Sequence, residues 1–566
     1  MSWHLLAALV ILGGLAIATG ATERSSRSRL GPRARTMDSR RPGAATRPGG
    51  GPGAARRGGE AHEPEQFSGL GSMSPFPGAW LGAWPASAFR LAWTRPRQAQ
   101  GARWAARRDI RALSVNGAVR GRVVIGRCGR NLVAAEAGHS LLVVGPTQSG
   151  KTTGLAAPII REWEGPVVAA SVKGDLARLT LEARSEVGEV LVYDPLATTG
   201  LRRAAWSPLD SCRTWARARR LSADLAAVAR DGSSAMTDGD FWYSMAAKLL
   251  APLLLAAACN GLAMSDIVAW VDHQDLTYPE QLLTQAGERQ ALQALCATLG
   301  REDRQRSGIF TTAETVIEAF ADPDVAECEQ GSYCVDVGAA TAASGTTTSG
   351  TVDVAGLLDA TNTLYLCAPA QDQRRLRPLF ATLVAQVVSE AYGRAMRTGR
   401  ALDPPLLVVL DEAANVAPLA ELDVLASTAA GHGVQLVTVW QDLAQLNARY
   451  GSKGSSVVNN HRAKLFLSGI ADPGTLEHAS QLAGEEDRPM RSTTIDRFGS
   501  SSTTDAPAPR RLVSPDAIRR LEPGSGLLLY AHLPPAKVTL RRPPQQGRKK
   551  RTQQPLRTQH PHNGPR

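Results

Sequence analysis

The chain has 566 residues, 43% of them hydrophobic and 20% charged, enough length and apolar surface for more than one domain around a large core, which excludes a small stapled peptide. Its 64 Lys and Arg exceed its 52 Asp and Glu by 12, a balance that favours an anionic partner such as nucleic acid or a membrane surface. Seven scattered cysteines with no C-x-x-C pair indicate neither a disulfide framework nor a zinc site and fit a reducing compartment.

Residues 3–21 are almost wholly apolar and just long enough to cross a bilayer as a helix. A cleaved signal peptide would share that apolar run and the small residues Ala16 and Ala18 near its end. Charge separates the two readings. No Lys or Arg precedes the run, whereas ten Arg from Arg24 to Arg57 follow it against only Glu23 and Asp38. Residues 1–21 are therefore read as a single-pass anchor in the cell membrane, with the bulk of the chain cytoplasmic. Residues 22–100 hold a Gly/Pro/Arg-rich linker, expected to be disordered to about residue 66, and then an apolar stretch at 76–93. That stretch contains Pro77, Pro85 and Arg90 beside Trp80, Trp84 and Trp93, so it reads as interfacial, not spanning.

Ser140-Leu141-Leu142-Val143-Val144 is a short strand that runs directly into Gly145-Pro146-Thr147-Gln148-Ser149-Gly150-Lys151-Thr152-Thr153, a G-x-x-x-x-G-K-[ST] loop in its strand-then-helix context. Glycines let backbone N–H groups wrap the phosphates of ATP, Lys151 reaches the β and γ phosphates, and the Thr152 hydroxyl ligates magnesium. Only eight of the chain's cations are Lys, which makes this one more informative. A second apolar run, Leu406-Leu407-Val408-Val409-Leu410, ends in Asp411-Glu412. Asp411 would hold a magnesium-bound water and Glu412 would polarise the attacking water, a pairing that argues for hydrolysis over passive binding.

Further strands are expected at 166–171, 189–193, 363–367, 434–440, 465–467 and 527–530, most of them separated by helix-length segments, which indicates a parallel sheet covered on both faces. Gln441 leaves the 434–440 strand at the carboxyl edge, where it could sense the γ-phosphate. Between Asp210 and Val335 no strand pattern occurs, while 241–259 and 281–299 read as helices; the first is very apolar but carries Lys248 and Pro252, so it reads as buried. Residues 212–335 hold ten Lys and Arg against 17 Asp and Glu, an acidic surface suited to a basic protein and poorly suited to DNA. The last segment, 541–566, has eight Lys and Arg and no acid, and is expected to be a disordered basic tail.

The pieces resemble, in order and spacing, the TraG/TraD-type coupling proteins of conjugative type IV secretion. Besides the loop and Asp411-Glu412 they include Ser171-Val172-Lys173-Gly174-Asp175-Leu176, Trp206-Ser207-Pro208-Leu209-Asp210, Asp240-Phe241-Trp242, Arg306-Ser307-Gly308-Ile309-Phe310 and Trp440-Gln441-Asp442-Leu443. The resemblance implies an α/β chain: a RecA-like P-loop domain at 101–211 and 336–540, interrupted by an all-α domain at 212–335. It implies a homo-hexameric ATPase that uses magnesium-ATP to move DNA into a type IV secretion channel, with channel components, inner-membrane lipid and a basic relaxosome protein as further partners. Two other readings stay open: a non-hydrolysing membrane scaffold for relaxosome proteins, and a related protein-secretion motor. The chain departs from the family in having one clean membrane span where two are common. It also has Ala429-Ala430-Gly431-His432-Gly433 where many members place an Arg finger. Lys453 is the candidate to replace that finger, with Arg462 second.

Overall fold

The computed structural model describes residues 101–541 except Lys173, 231–238, 332–349 and Asp496. The expected anchor at 1–21, the linker at 22–100 and the tail beyond Arg541 lie outside the described residues, as does the expected end of the helical insert at 335.

Twelve strands form one sheet among the described residues: β1 (Ser114–Val115), β2 (Val124–Cys128), β3 (Asn131–Ala134), β4 (Leu141–Val144), β5 (Val167–Ser171), β6 (Val190–Tyr193), β7 (Thr363–Cys367), β8 (Leu406–Leu410), β9 (Val434–Trp440), β10 (Ala463–Leu467), and then, after a separate two-stranded ribbon of β11 (Glu485–Ile495) and β12 (Ser501–Arg511), β13 (Ser525–Tyr530) and β14 (Ala536–Thr539). The order is β1-β3-β2-β14-β13-β10-β4-β9-β8-β5-β7-β6. From β10 to β6 every neighbouring pair is parallel. These strands are continuous apolar runs with nearly every residue buried, as a sheet covered on both faces requires.

Side chains alternate across that sheet, and the two sets enter different cores. Leu141, Val143, Val167, Ala169 and Val437 face one; Leu142, Val144, Val168, Ala170 and Leu436 face the other. The second core runs without a break into the helical segment that follows Cys212, taking in Leu249, Leu253, Leu295 and Phe310. That segment is built from helices at Trp215–Ala229, Gly239–Cys259, Met264–Asp272, Thr277–Ala286, Arg289–Leu299, Asp303–Ile317 and Pro323–Gln330. Gly239–Cys259 is long and apolar enough to span a bilayer, yet it is the core helix of this unit, packed on Trp215–Ala229 and Asp303–Ile317.

Two expectations need correction. The purely parallel sheet is extended on the β10 side by five antiparallel strands. The 527–530 strand is β13, antiparallel to β10, and the short turn from Tyr530 to Ala536 pairs it on its other side with β14 as a hairpin. The helix expected over 281–299 is two helices, broken at Gly287, whose φ of 72° ends the first in the left-handed conformation that glycine adopts without a Cβ clash.

Opposite the carboxyl edge of the parallel strands, the fully buried guanidinium of Arg184 gathers the start of the sheet. It donates to the Thr363 hydroxyl at 2.7 Å and to the carbonyls of Gly165 at 2.8 Å and Thr361 at 2.9 Å. These are ends that strand ladders leave unpaired, so the charge does the pairing there.

Candidate nucleotide-binding site

The order β4-β9-β8 brings three chain reversals side by side at the carboxyl edge. Val144 is in register with Trp440 and Leu410 with Thr438, so the loop after β4, Gln441 after β9 and Asp411-Glu412 after β8 all emerge on one rim.

The loop's geometry demands its glycines. A Cβ at Gly145 would lie 2.9 Å from Leu467 Cβ and 3.0 Å from Ser149 Oγ, and Gly150 has a φ of 86°. The following helix opens in wide π-type turns over Lys151–Ala156 before becoming regular at Ala157–Glu162, a local distortion common at functional sites. The Lys151 ammonium is buried against the loop, donating to the Gly145 carbonyl and, at 2.7 Å, to the Pro146 carbonyl. Burial pushes its pKa down, opposed by the charges of Asp411 and Glu412. Ser149 Oγ is buried in the same loop with no hydrogen-bond partner, a polar atom turned toward the phosphate cradle's interior wall.

Thr152 Oγ1 donates to Asp411 Oδ2 at 2.9 Å, and Ser171 Oγ, at the end of β5, lies 3.5 Å from the same oxygen. Burial pushes the Asp411 carboxyl up, against the pull of the Thr152 hydroxyl and of Lys151, with Glu412 adding to the rise. A hydroxyl beside a carboxylate is the hard-oxygen donor set that magnesium takes. Among the described residues no cluster of three His, Cys, Asp or Glu exists that would hold a metal without help from a substrate's oxygens.

Glu412 sits in the left-handed region at φ 64°, unusual for a residue with a Cβ. Its carbonyl accepts from Asn415 N at 2.9 Å, and the next residue's N–H reaches Val439 O at 3.1 Å, which together hold the turn. Gln441 is half-buried, and its N–H donates to Gln445 Oε1 at 3.2 Å. Asp442 caps the helix Leu443–Tyr450 by accepting from Gln445 N at 2.7 Å.

Thus Lys151, Thr152, Asp411, Glu412 and Gln441 share one rim, while Pro146, Thr147, Gln148 and Thr153 complete the loop. Lys453 does not join them within the chain: it is exposed in the turn Gly451–Lys453. Arg462 precedes β10, and Ala463 pairs with Leu141, so it lies at the amino edge of the sheet, near His139 and Tyr530. Sequence reasoning gave no role to Ser171, Gln445 or Asp442; their signal was the position of each at or just past a strand end.

Because burial raises the Asp411 pKa above its unfolded value, the protonated form folds more favourably, and the carboxyl costs stability as pH rises through its raised value. Asp411→Asn should therefore raise the unfolding temperature of the nucleotide-free chain at pH 7–8. The gain should shrink as pH falls toward the ordinary carboxylate range, and magnesium-dependent nucleotide binding should be lost. Thermal scans across pH check this; an Asn variant less stable than wild type at pH 8 contradicts it.

Two family models match the chain: the type IV secretory system conjugative DNA transfer family over residues 103–333, and the TraM recognition site of TraD and TraG over 405–523. Protein VirD4 of Rhizobium rhizogenes is 27% identical over 464 residues, covering 77% of this chain and 64% of the relative. Protein VirD4 of Agrobacterium fabrum is 26% identical over 429 residues, covering 72% and 59%. The chain thus spans under two thirds of the length of these relatives. Among solved structures, the plasmid coupling protein TrwB in complex with ADP and Mg2+ superposes with a TM-score of 0.56 at 19% identity, covering 78% of this chain and 94% of that one. An unbound form of TrwB gives 0.56 at 18%, covering 78% and 92%; at such identities the likeness is one of fold. The two models match in order along one chain, which with the VirD4 relatives makes this chain similar to the conjugative DNA transfer proteins of type IV secretion and, over 405–523, to the TraM recognition site of TraD and TraG.

Proposed function

We propose that the chain is a membrane-anchored, ATP-driven DNA translocase that delivers DNA to a type IV secretion channel during conjugation, working as a homo-hexamer. The observation that carries this reading is the convergence of Lys151, Thr152, Asp411, Glu412 and Gln441 on one rim, with Thr152 and Asp411 in hydrogen-bond contact. TrwB, of the same fold, binds ADP and Mg2+, which supports the same ligands here.

The roles follow from position. Backbone N–H groups of 147–152 surround the phosphates of ATP, and Lys151 exchanges its loop carbonyls for phosphate oxygens. Thr152 and Asp411 would hold magnesium, which when bound draws charge from the phosphate oxygens. Glu412, fixed by its strained turn, takes a proton from the attacking water, and Gln441 meets the γ-phosphate at the end of β9. Residues 541–566, with eight cations, add salt-sensitive attraction to DNA or lipid.

The function is tested by the ATPase rate of the full chain with and without DNA. Lys151→Ala and Glu412→Gln should each lower turnover by about 10²–10³, the second with ATP still bound, and DNA should stimulate the wild type. A Glu412→Gln chain with near-full turnover removes the catalytic assignment; wild type that binds ATP without hydrolysing it leaves a scaffold.

Lys453 is assigned to reach the γ-phosphate of the neighbouring subunit, supported by its exposure in the turn Gly451–Lys453. Lys151→Ala and Lys453→Ala chains should each be inactive alone, yet regain activity when mixed in one ring, since some interfaces then join an intact loop to an intact Lys453. Confirmed mixed rings without recovery move the role to Arg462 or remove it.

The exposed acids Glu318, Asp324 and Glu327 of the helical unit are offered to a basic relaxosome protein. Their replacement by Lys should abolish capture of that protein by the full chain while leaving DNA-stimulated ATPase intact; unchanged capture contradicts the assignment.

A further inference from the structure

The ribbon of β11 and β12 is unlike any other part of the described structure. It pairs eleven residues with eleven in unbroken antiparallel register, from Glu485 with Arg511 to Ile495 with Ser501, and is exposed along both faces. At roughly 3.3 Å per residue it is about 35 Å long. A two-stranded ribbon with no buried face is only marginally stable by itself in water. Its attachments are at the base: Ala102 N–H donates to Glu485 O at 2.6 Å, and Arg511 pairs with Glu477 at 2.5 Å. Its far end presents Ile495 and Phe498, 70% and 78% exposed, with the Arg497 guanidinium over the Phe498 ring at 4.8 Å.

We propose that this tip seats in the interfacial layer of a lipid bilayer, Ile495 and Phe498 entering between head groups while Arg497 and Arg491 meet lipid phosphates. The inference rests on the reading of the chain as membrane-anchored and adds a second, separate contact with the bilayer. Three observations select this occupant. The tip sequence, Ile495-Asp496-Arg497-Phe498, sets an aliphatic and an aromatic side chain on either side of an Asp-Arg pair, and apolar and aromatic residues beside Arg partition into a membrane interface. Residues 485–511 carry five Arg against five Asp and Glu, so the ribbon lacks the cationic excess that binding along DNA requires. The base lies against Gly101 and Ala102, where the chain arrives from the Trp-rich stretch at 76–93.

The test is trypsin scission of the Arg497–Phe498 bond, read by mass spectrometry. The full chain is compared in nanodiscs of phosphatidylethanolamine and phosphatidylglycerol and in amphipol without lipid. Scission should be about tenfold slower in the discs, and the Ile495→Asp, Phe498→Asp double variant should be cut equally fast in both. Equal rates for the wild type overturn the proposal. So does protection already present in amphipol, which assigns the tip to a neighbouring copy, or protection that appears only on adding duplex DNA, which assigns it to nucleic acid. Failure of the anchor reading registers separately, as chain that does not incorporate into discs. Flotation with vesicles of the same lipids then reads the ribbon alone: wild type floating more than the double variant supports the proposal, and equal flotation overturns it.

Discussion

Every backbone N–H and C=O of β4, β9, β8 and β5 must find its partner in a neighbouring strand, because both faces of these strands are buried under apolar side chains. Within these strands the buried side chains of Gln435 and Thr438 are hydrogen-bonded, and the charged groups gather where the ladders stop. At the carboxyl edge the endings are a hydroxyl, an ammonium and two carboxylates, in contact through Thr152 and Asp411. At the amino edge the ending is Arg184, a cation that gathers carbonyls instead of a counter-ion. The same rule thus produces a reactive rim at one end and an inert clasp at the other, and the difference lies in which polar groups the chain supplies after and before each strand.

The two-faced burial also explains how the helical unit is joined to the nucleotide domain. It follows Trp206-Ser207-Pro208-Leu209-Asp210, shares one core with the face of the sheet that holds Leu142 and Val168, and returns before β7. Trp206 and Tyr193 meet edge to face at that junction, with ring centres 5.5 Å apart. A displacement of the sheet is therefore felt by the helices through close-packed side chains, not through a hinge of solvated loops.

What could be read from the chain depended on whether burial had left a pattern. The run Leu406–Leu410 is apolar from end to end, and Val434–Trp440 is interrupted only by Gln435 and Thr438, so their strand character and even their limits were legible. The strands β2 and β3 hold Gly126, Arg127 and Asn131 at the sheet's margin, and gave no periodic signal. The ribbon was hidden for a related reason: without a buried face there is no alternation to detect. Pro489, Pro507 and Pro509 also argue against a strand, except where, as here, both strands are edges and an N–H can be spared. In the site, Lys151 and Asp411 stood out by motif, whereas the left-handed turn at Glu412 and the contact of Ser171 with Asp411 depend on chain reversals that no local spacing encodes. Lys453 and Arg462 are a third case, since the role proposed for them lies on a neighbouring subunit's substrate and so leaves no motif within the chain.

Gly154, one turn into the helix that begins at Lys151, faces the end of β14. A Cβ there would lie 3.1 Å from Arg541 O and 3.2 Å from Leu540 Cβ, and Leu540 also touches Gly150 at 3.6 Å from a Cβ built there. Arg541 in turn holds Glu162 at the far end of the same helix. The phosphate loop and the last strand are therefore meshed like two gears, tooth against notch at 154 and pinned at 162. A rotation of the loop's helix would press on the β13–β14 corner, and through the pairing of Thr539 with Arg127 on the antiparallel margin. A working stroke begun at Lys151 would thereby be exported across the sheet, to strands that never touch the nucleotide.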